Sequence, residues 1–255
     1  MNNIKILTKE SLKGKWNKII IITFILISVY LITVVFDSLI FAIFKMNFIV
    51  NLFAKLLNLL LIIVLINPLI YGVYYWFYYT LNGNNMKINS CFHFFVNFSN
   101  YKKAVKLSFL ITLKVSLISF VFSLPEIFAL FFIKNSSIVF MFSLITFLGY
   151  IFSILQALKY FLAPILLVNN TNLIANEALY LSKQIIFGKK KNVFIFILSF
   201  FGYFASCILV IPLFYVIPFY IACYCKKCKS LIQEYNEMIA DFNVDYYKQL
   251  YNVSK

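Results

Sequence analysis

ALYLSKQIIFGKKKNVFIFILSFFGY, residues 178–203, places a short amphipathic stretch, a glycine and three lysines directly before a run rich in phenylalanine and isoleucine. At helical spacing Ala178, Leu179, Ser182, Ile185 and Ile186 gather on one face, while Glu177, Lys183 and Gln184 stay nearer water. Gly188 is placed to end that helix, so that Lys189, Lys190 and Lys191 meet a headgroup layer before the chain turns apolar. The stretch reads as a helix lying along a membrane surface and feeding another helix through it.

Composition agrees with a membrane setting. Of 255 residues 63% are hydrophobic, 20% aromatic and only 12% charged, with a mean hydropathy of +0.91. A soluble domain is nearer half apolar and a quarter charged, so much of this surface needs lipid. All 23 basic residues are lysine, a bias that points to an AT-rich coding genome and a bacterial source. The net charge of +15 sits at the ends of apolar runs rather than on a soluble face. Anionic lipid is therefore the expected partner, and nucleic acid is not.

Working outward, apolar runs at 19–36, 59–79, 106–124 and 138–168 each suffice to cross an oily core of about 30 Å as a helix. Asp37 is expected to end the first. Asn51, Lys55 and Asn58 lie before the second, in a segment expected to run obliquely near the interface, and Pro68 permits a kink within it. Pro125 is expected to end the third, with 127–137 as a short re-entrant or interfacial piece, and Pro164 marks the last turns of the fourth. The last block, 193–225, is generous for one crossing and scant for two. Lysines 189–191 before it and Lys226, Lys227 and Lys229 after it decide the matter: if basic residues stay inside, the block enters and returns on one side, broken around Ile211 and Pro212.

The expected fold is therefore all-α: a polytopic transmembrane helical bundle of about six short or tilted passages with cytoplasmic interfacial helices, set in a bacterial cytoplasmic membrane with both termini inside. The lysine census supports this orientation. Five lysines lie up to Lys18, four in 82–106, four in 183–191 and five from Lys226 onward, whereas the outer connections carry only Lys45 and Lys134, opposed by Asp37 and Glu126. Lys13, Lys102, Lys103, Lys189, Lys190, Lys191, Lys226 and Lys227 form the interfacial basic set. SLKGKWNKI, SCFHFFVNFSNYKKAVKL and ALYLSKQIIFGKKKNVF each precede a hairpin, which suggests three units at 1–80, 82–168 and 169–230 within a membrane domain 1–230. Residues 231–255 read as a cytoplasmic C-terminal amphipathic helix holding four of the eight acids.

SLKGKW near the start, LKYFLAPILLVNN at 158–170 and NEALYLSKQIIFGKKKNVFIFILSFFGY at 176–203 resemble the bacterial multi-pass integral membrane family catalogued as domain of unknown function 975. The resemblance falls on Leu12, Lys13, Gly14 and Trp16; on Lys159 and Tyr160; on Asn176, Ala178, Leu179 and Ser182; and on Gly188, Lys189, Lys191, Leu198, Ser199, Phe200, Gly202 and Tyr203. Asn169 and Asn170 stand where that family often carries an acid, and Pro218-Phe219-Tyr220 replaces its terminal proline-tyrosine feature. The resemblance implies a polytopic fold and a membrane location, with no activity attached.

Lys114 and Lys159 are the residues most out of place, several turns inside apolar spans where an exposed charge is costly. Snorkelling to the interface is the ordinary role of such lysines. The functional one is a polar cavity, with Gln156 and Tyr160 beside Lys159, that attracts a lipid phosphate, an anionic metabolite or a partner's carboxylate. His93 is the only histidine, in an apolar setting unsuited to acid–base work. Cys225 and Cys228 have redox spacing but lack further ligands for a metal. With no phosphate loop, zinc-protease or nucleophile-elbow motif, no catalytic residue, metal or cofactor is expected. The sequence favours an integral membrane interaction or assembly protein contacting anionic lipid, a protein partner or another copy. A transporter or lipid-handling protein with a polar intramembrane cavity is the alternative.

Overall fold

The computed structural model describes the backbone of residues 2–44, 48–132, 136–209 and 211–253. Among these the molecule is all helix, with no strand. Four helical stretches are long and apolar enough to cross a membrane: Trp16–Ile40, Leu52–Leu81, Phe98–Ala129 and Ser137–Asn169. The chain is accordingly a membrane protein by length and composition of its helices. Lys45, Lys134 and the side chain of Asp37, expected on the outer connections, lie outside the described residues.

A short helix α1 (Asn2–Leu12) leads through Gly14 into α2 (Trp16–Phe44), which Asp37 does not end. A lone carboxylate in an apolar run removes no backbone donor, so the helical ladder continues past it. The second stretch comprises α3 (Phe48–Leu61), a π turn at Ile62–Ile66 and α4 (Asn67–Leu81), and is helical through Lys55. Pro68 explains the π turn. Lacking an N–H, it cannot bond the Val64 carbonyl four residues back. The Asn67 N–H reaches one residue further, to Ile62, and Tyr101 Oη donates to the orphaned Val64 carbonyl at 3.1 Å.

After a 3-10 turn at Ile88–Phe92 and the single turn α5 (His93–Val96), α6 runs from Phe98 to Phe132, straight through Pro125. The expected stop at Pro125 and the separate interfacial piece after it are thus replaced by one long helix as far as Phe132, while 133–135 lie outside the described residues. Proline removes one bond, and the antiparallel partner α7 (Ser136–Ala157) braces the helix beside it: Thr146 Oγ1 donates to the Phe122 carbonyl at 3.3 Å. Then follow a 3-10 turn at Leu158–Tyr160, α8 (Ala163–Asn169) and α9 (Ala175–Ile186). All five residues assigned to the inward face of α9 are buried. The final apolar block is α10 (Lys190–Leu198), α11 (Phe201–Ser206), a 3-10 turn at Cys207–Leu209 and α12 (Leu213–Val253). The segment from 231 onward prolongs α12 without a break.

Lysines tie the two ends of each helical pair together. Lys15 Nζ donates to the Thr80 carbonyl at 3.0 Å and Lys18 Nζ to Asn85 Oδ1 at 2.9 Å, joining the start of α2 to the end of α4. Lys103 Nζ donates to the Thr171 carbonyl, joining α6 to the end of α8. Lys189 Nζ and Glu234 Oε2 pair at 2.7 Å across the block 193–225, so the two ends of that block meet.

Two of the corners are built alike. Lys13 N–H bonds the Glu10 carbonyl, Lys15 N–H that of Leu12 and Ile19 N–H that of Lys15; Phe187 bonds Gln184, Lys189 bonds Ile186 and Val193 bonds Lys189 in the same pattern. Gly14 and Gly188 both have φ of +76°, a conformation glycine adopts without strain. Short leading helices also pack on the returning helix of another pair. α9 sits on α8, α1 on α12, and the turn before α5 on α4, where Gly72 admits the Cys91 carbonyl.

Candidate functional site

The site forms where the fourth spanning stretch breaks. Pro164 at the start of α8 cannot donate to the Tyr160 carbonyl, so the α-ladder lapses between Ala157 and Ala163 and leaves polar backbone groups inside an apolar bundle. Side chains from distant segments take them up. The Leu162 N–H donates to Ser182 Oγ at 3.2 Å, Ser182 Oγ donates to the Lys159 carbonyl at 2.8 Å, and Tyr224 Oη donates to the Phe161 carbonyl at 2.6 Å. Ser182 itself is fully buried. Irregular backbone at membrane depth is tolerated only where protein satisfies it or where it lines a cavity, and both hold here.

Around the break the lysines converge. Lys114 of α6 and Lys183 of α9 lie over the Tyr160 ring, 5.7 and 5.6 Å from its centroid, where the negative face of the ring attracts a cation. Lys159 is half-buried beside them, near enough to Lys183 and Lys190 to feel their charge. Among the described residues no carboxylate pairs with any of these four. Gln156 is half-buried and makes no hydrogen bond among them either.

Tyr160 also forms part of the wall of a cavity of about 310 Å³ between α4, α6, α8 and α12. Its polar lining includes Tyr71, Tyr74, Ser108, Tyr220 and Tyr224. The rings hold one another in place: Tyr74 and Tyr224 centroids are 4.9 Å apart, and Phe161 meets Tyr224 edge-on at 4.8 Å. Ser108 Oγ lies 3.1 Å from Tyr71 Oη. The Tyr74 and Tyr220 hydroxyls make no hydrogen bond among the described residues, which leaves them for whatever occupies the cavity. Of the residues expected at a polar cavity, Lys114 lies over the Tyr160 ring, and the cavity wall includes Tyr160 but neither lysine nor Gln156.

Sequence reasoning did not single out Lys183, Tyr71, Tyr74, Tyr220 or Tyr224 as site residues. A signal was present: Tyr71 with Tyr74, and Tyr220 with Tyr224, stand three and four residues apart and share a helix face.

The remaining expected residues are spread along the lysine-marked ends. Lys226 Nζ donates to the Leu7 carbonyl at 2.7 Å and to Ser11 Oγ at 2.6 Å, Lys102 lies over Phe98, and Lys227 is half-buried. Lys13, Lys190 and Lys191 are exposed. Of the motif residues, Trp16 stacks on Tyr215 at 5.3 Å, and the Ser199 carbonyl accepts from Lys5 at 2.8 Å where α10 gives way to α11; Asn176 and Gly202 are exposed. His93 stacks flat on Tyr75 with centroids 4.0 Å apart, and burial pushes its imidazole below its ordinary range. Cys225 and Cys228 are free thiols buried in the packing of α12.

No family model, curated protein or solved structure matches this chain.

Proposed function

We propose that the protein is a lipid-handling protein of a bacterial cytoplasmic membrane that holds an anionic amphiphile, its headgroup against Lys114, Lys159, Lys183 and Lys190 and its adjoining part in the tyrosine-lined cavity. The observation that carries this reading is that Lys114 and Lys183 lie over a ring that also lines a 310 Å³ cavity, with Lys159 and Lys190 nearby and no carboxylate paired with any of the four among the described residues. Charges at such depth persist where a counter-ion repays their desolvation. Transport across the membrane extends this reading if the cavity opens in turn to either side.

The layout that goes with it has six passages, the last two being 190–209 and the first part of α12, with both termini cytoplasmic. What supports it is the pairing of lysine-marked ends in all three helical pairs and the shared geometry of the Gly14 and Gly188 corners. The same features favour three related units. Kinship with the family catalogued as domain of unknown function 975 belongs to the proposal too, since Gly14, Ser182 and Gly188, which carry the resemblance, each have a defined structural task.

An assembly role is the second reading, favoured by α12. This helix runs on well beyond Lys229, with Glu237, Met238 and Ile239 exposed. Purification in native lipid followed by mass spectrometry separates the two. Lipid handling predicts a retained anionic lipid or amphiphilic solute, depleted about tenfold in Lys114→Met/Lys183→Met, a change matching the loss of charge-assisted bonds. A stoichiometric protein partner, with only bulk lipid composition retained and no effect of the double substitution, would overturn it in favour of assembly.

A further inference from the structure

A second cavity, of about 370 Å³, opens where α2 begins and α4 ends, away from the Tyr160 site. Its walls are Gly14, Lys15, Asn17 and Lys18 from the first corner, Trp76 and Thr80 from α4, and Asn85 and Met86 from the loop that follows. Two of these carry a polar atom that the fold leaves unserved. Trp76 Nε1 and Thr80 Oγ1 are buried without a hydrogen-bond partner, in side chains exposed by 1% and 4%. An unmade bond of this kind costs about 1–3 kcal/mol, so two of them in side chains that wall one cavity call for an occupant.

The chemistry of the walls selects that occupant. An indole N–H only donates, an ammonium only donates, and the opening turn of α2 adds backbone N–H groups with no carbonyl before them in the helix. Lys15 gives one hydrogen to the Thr80 carbonyl, and Lys18 contacts Asn85 Oδ1 and the Met86 carbonyl. Each ammonium has three hydrogens, so capacity remains. Among the described residues no Asp or Glu lines the cavity. Donors and positive charge from several directions, at the positive end of a 29-residue helix, fit an anion with several acceptor oxygens.

The fold itself supplies a precedent. At the corner built with the same backbone bonds, Gly188-Lys189, the lysine after the glycine grips a carboxylate, Glu234, at 2.7 Å. At Gly14-Lys15 the matching lysine bonds the Thr80 carbonyl, and among the described residues no carboxylate pairs with it.

We propose that the cavity between Gly14, Lys18, Trp76 and Thr80 binds a phosphate group, carried either by a phospholipid headgroup or by a soluble phosphate. The site is distinct from the Tyr160 cluster and stands independently of the function proposed for it.

The two tryptophans of the chain provide the test. In full-length Trp16→Phe protein, Trp76 is the sole indole and reports directly on the cavity. This protein is placed in nanodiscs of phosphatidylcholine and titrated with inorganic phosphate against potassium chloride of equal ionic strength; a second set of discs carries increasing phosphatidylglycerol. A saturable change in Trp76 emission is expected in at least one series, and Lys18→Met and Thr80→Val should each raise the half-saturation concentration about tenfold. A response to inorganic phosphate identifies a soluble ligand, and a response only to phosphatidylglycerol identifies a headgroup. Emission that stays flat in both series, or that follows chloride equally, overturns the proposal. So does an unmoved half-saturation point in well-folded Lys18→Met and Thr80→Val proteins, and the titration of the Trp16→Phe parent decides the matter should either variant fail to fold.

Discussion

The lysine-marked ends of the helices and their far reaches use the same apolar residues to opposite effect. At the marked ends Trp76, Phe77, Phe94, Leu107, Ile165 and Leu167 are shut away from the surface, and the short helices α1, α5 and α9 wedge between the long ones. Along the far reaches Ile32, Ile43, Phe53, Phe140 and Phe147 are more than half exposed. Contact there narrows to particular points, such as the Ser119–Ser153 hydroxyl pair at 2.9 Å and the close pass of Gly149 against Phe122. In lipid, apolar surface gains little by leaving its surroundings, so those helices need only a few fitted contacts. The marked ends carry loops, breaks and charges, and their polar groups hold together only by dense mutual packing.

Gly72→Val strikes the packed end hardest. Even a Cβ at this position would stand 1.8 Å from the Cys91 carbonyl oxygen, a backbone atom that cannot step aside. Destabilisation of about 3 kcal/mol is expected, seen as a large fall in thermal unfolding temperature in detergent. A variant as stable as the parent would show that the turn before α5 is not firmly seated on α4. Next comes Ser182→Ala, which strips partners from both the Leu162 N–H and the Lys159 carbonyl. A cost of about 1–3 kcal/mol should appear with faster amide exchange confined to 158–162; unchanged exchange there would detach Ser182 from the break.

Acid should loosen the same end more gently. His93 is held below its unfolded value of about 6.5, so the unfolded chain binds the proton more tightly. The stability tied to neutral His93 is full above that value and is lost as pH falls through it toward the lower folded value. His93→Phe should flatten this part of the pH–stability curve while keeping a ring against Tyr75. An equal acid slope in both proteins would assign it to other groups. The smallest effect is expected in the far reaches: Phe147→Leu, on an exposed face of α7, should shift stability by under about 0.5 kcal/mol in a lipid disc. A large shift would mean that this face is buried against something in the native assembly.

The same contrast governs what was legible beforehand. Apolar run length is a local property, and it pointed to the four spanning stretches. The buried face of α9 followed from helical spacing alone. Asp37 and Pro125 misled because each was weighed as a local stop, whereas a helix flanked by apolar neighbours and braced by a partner runs through both. The π turn before Pro68 and the break before Pro164 were hidden because their missing bonds are supplied by Tyr101, Ser182 and Tyr224, far away in the chain. Lys114 and Lys159 stood out as charges in oil, but no local pattern linked them to Lys183 or to the tyrosine cavity.

The seat of α1 on α12 has a consequence for biogenesis. Lys226 grips the Leu7 carbonyl and the Ser11 hydroxyl, so α1 completes its contacts only after the chain has been translated as far as Lys226. Until then its inward side has to be sheltered by lipid or a chaperone. A chain halted before Lys226 would remain an open assembly with α1 undocked.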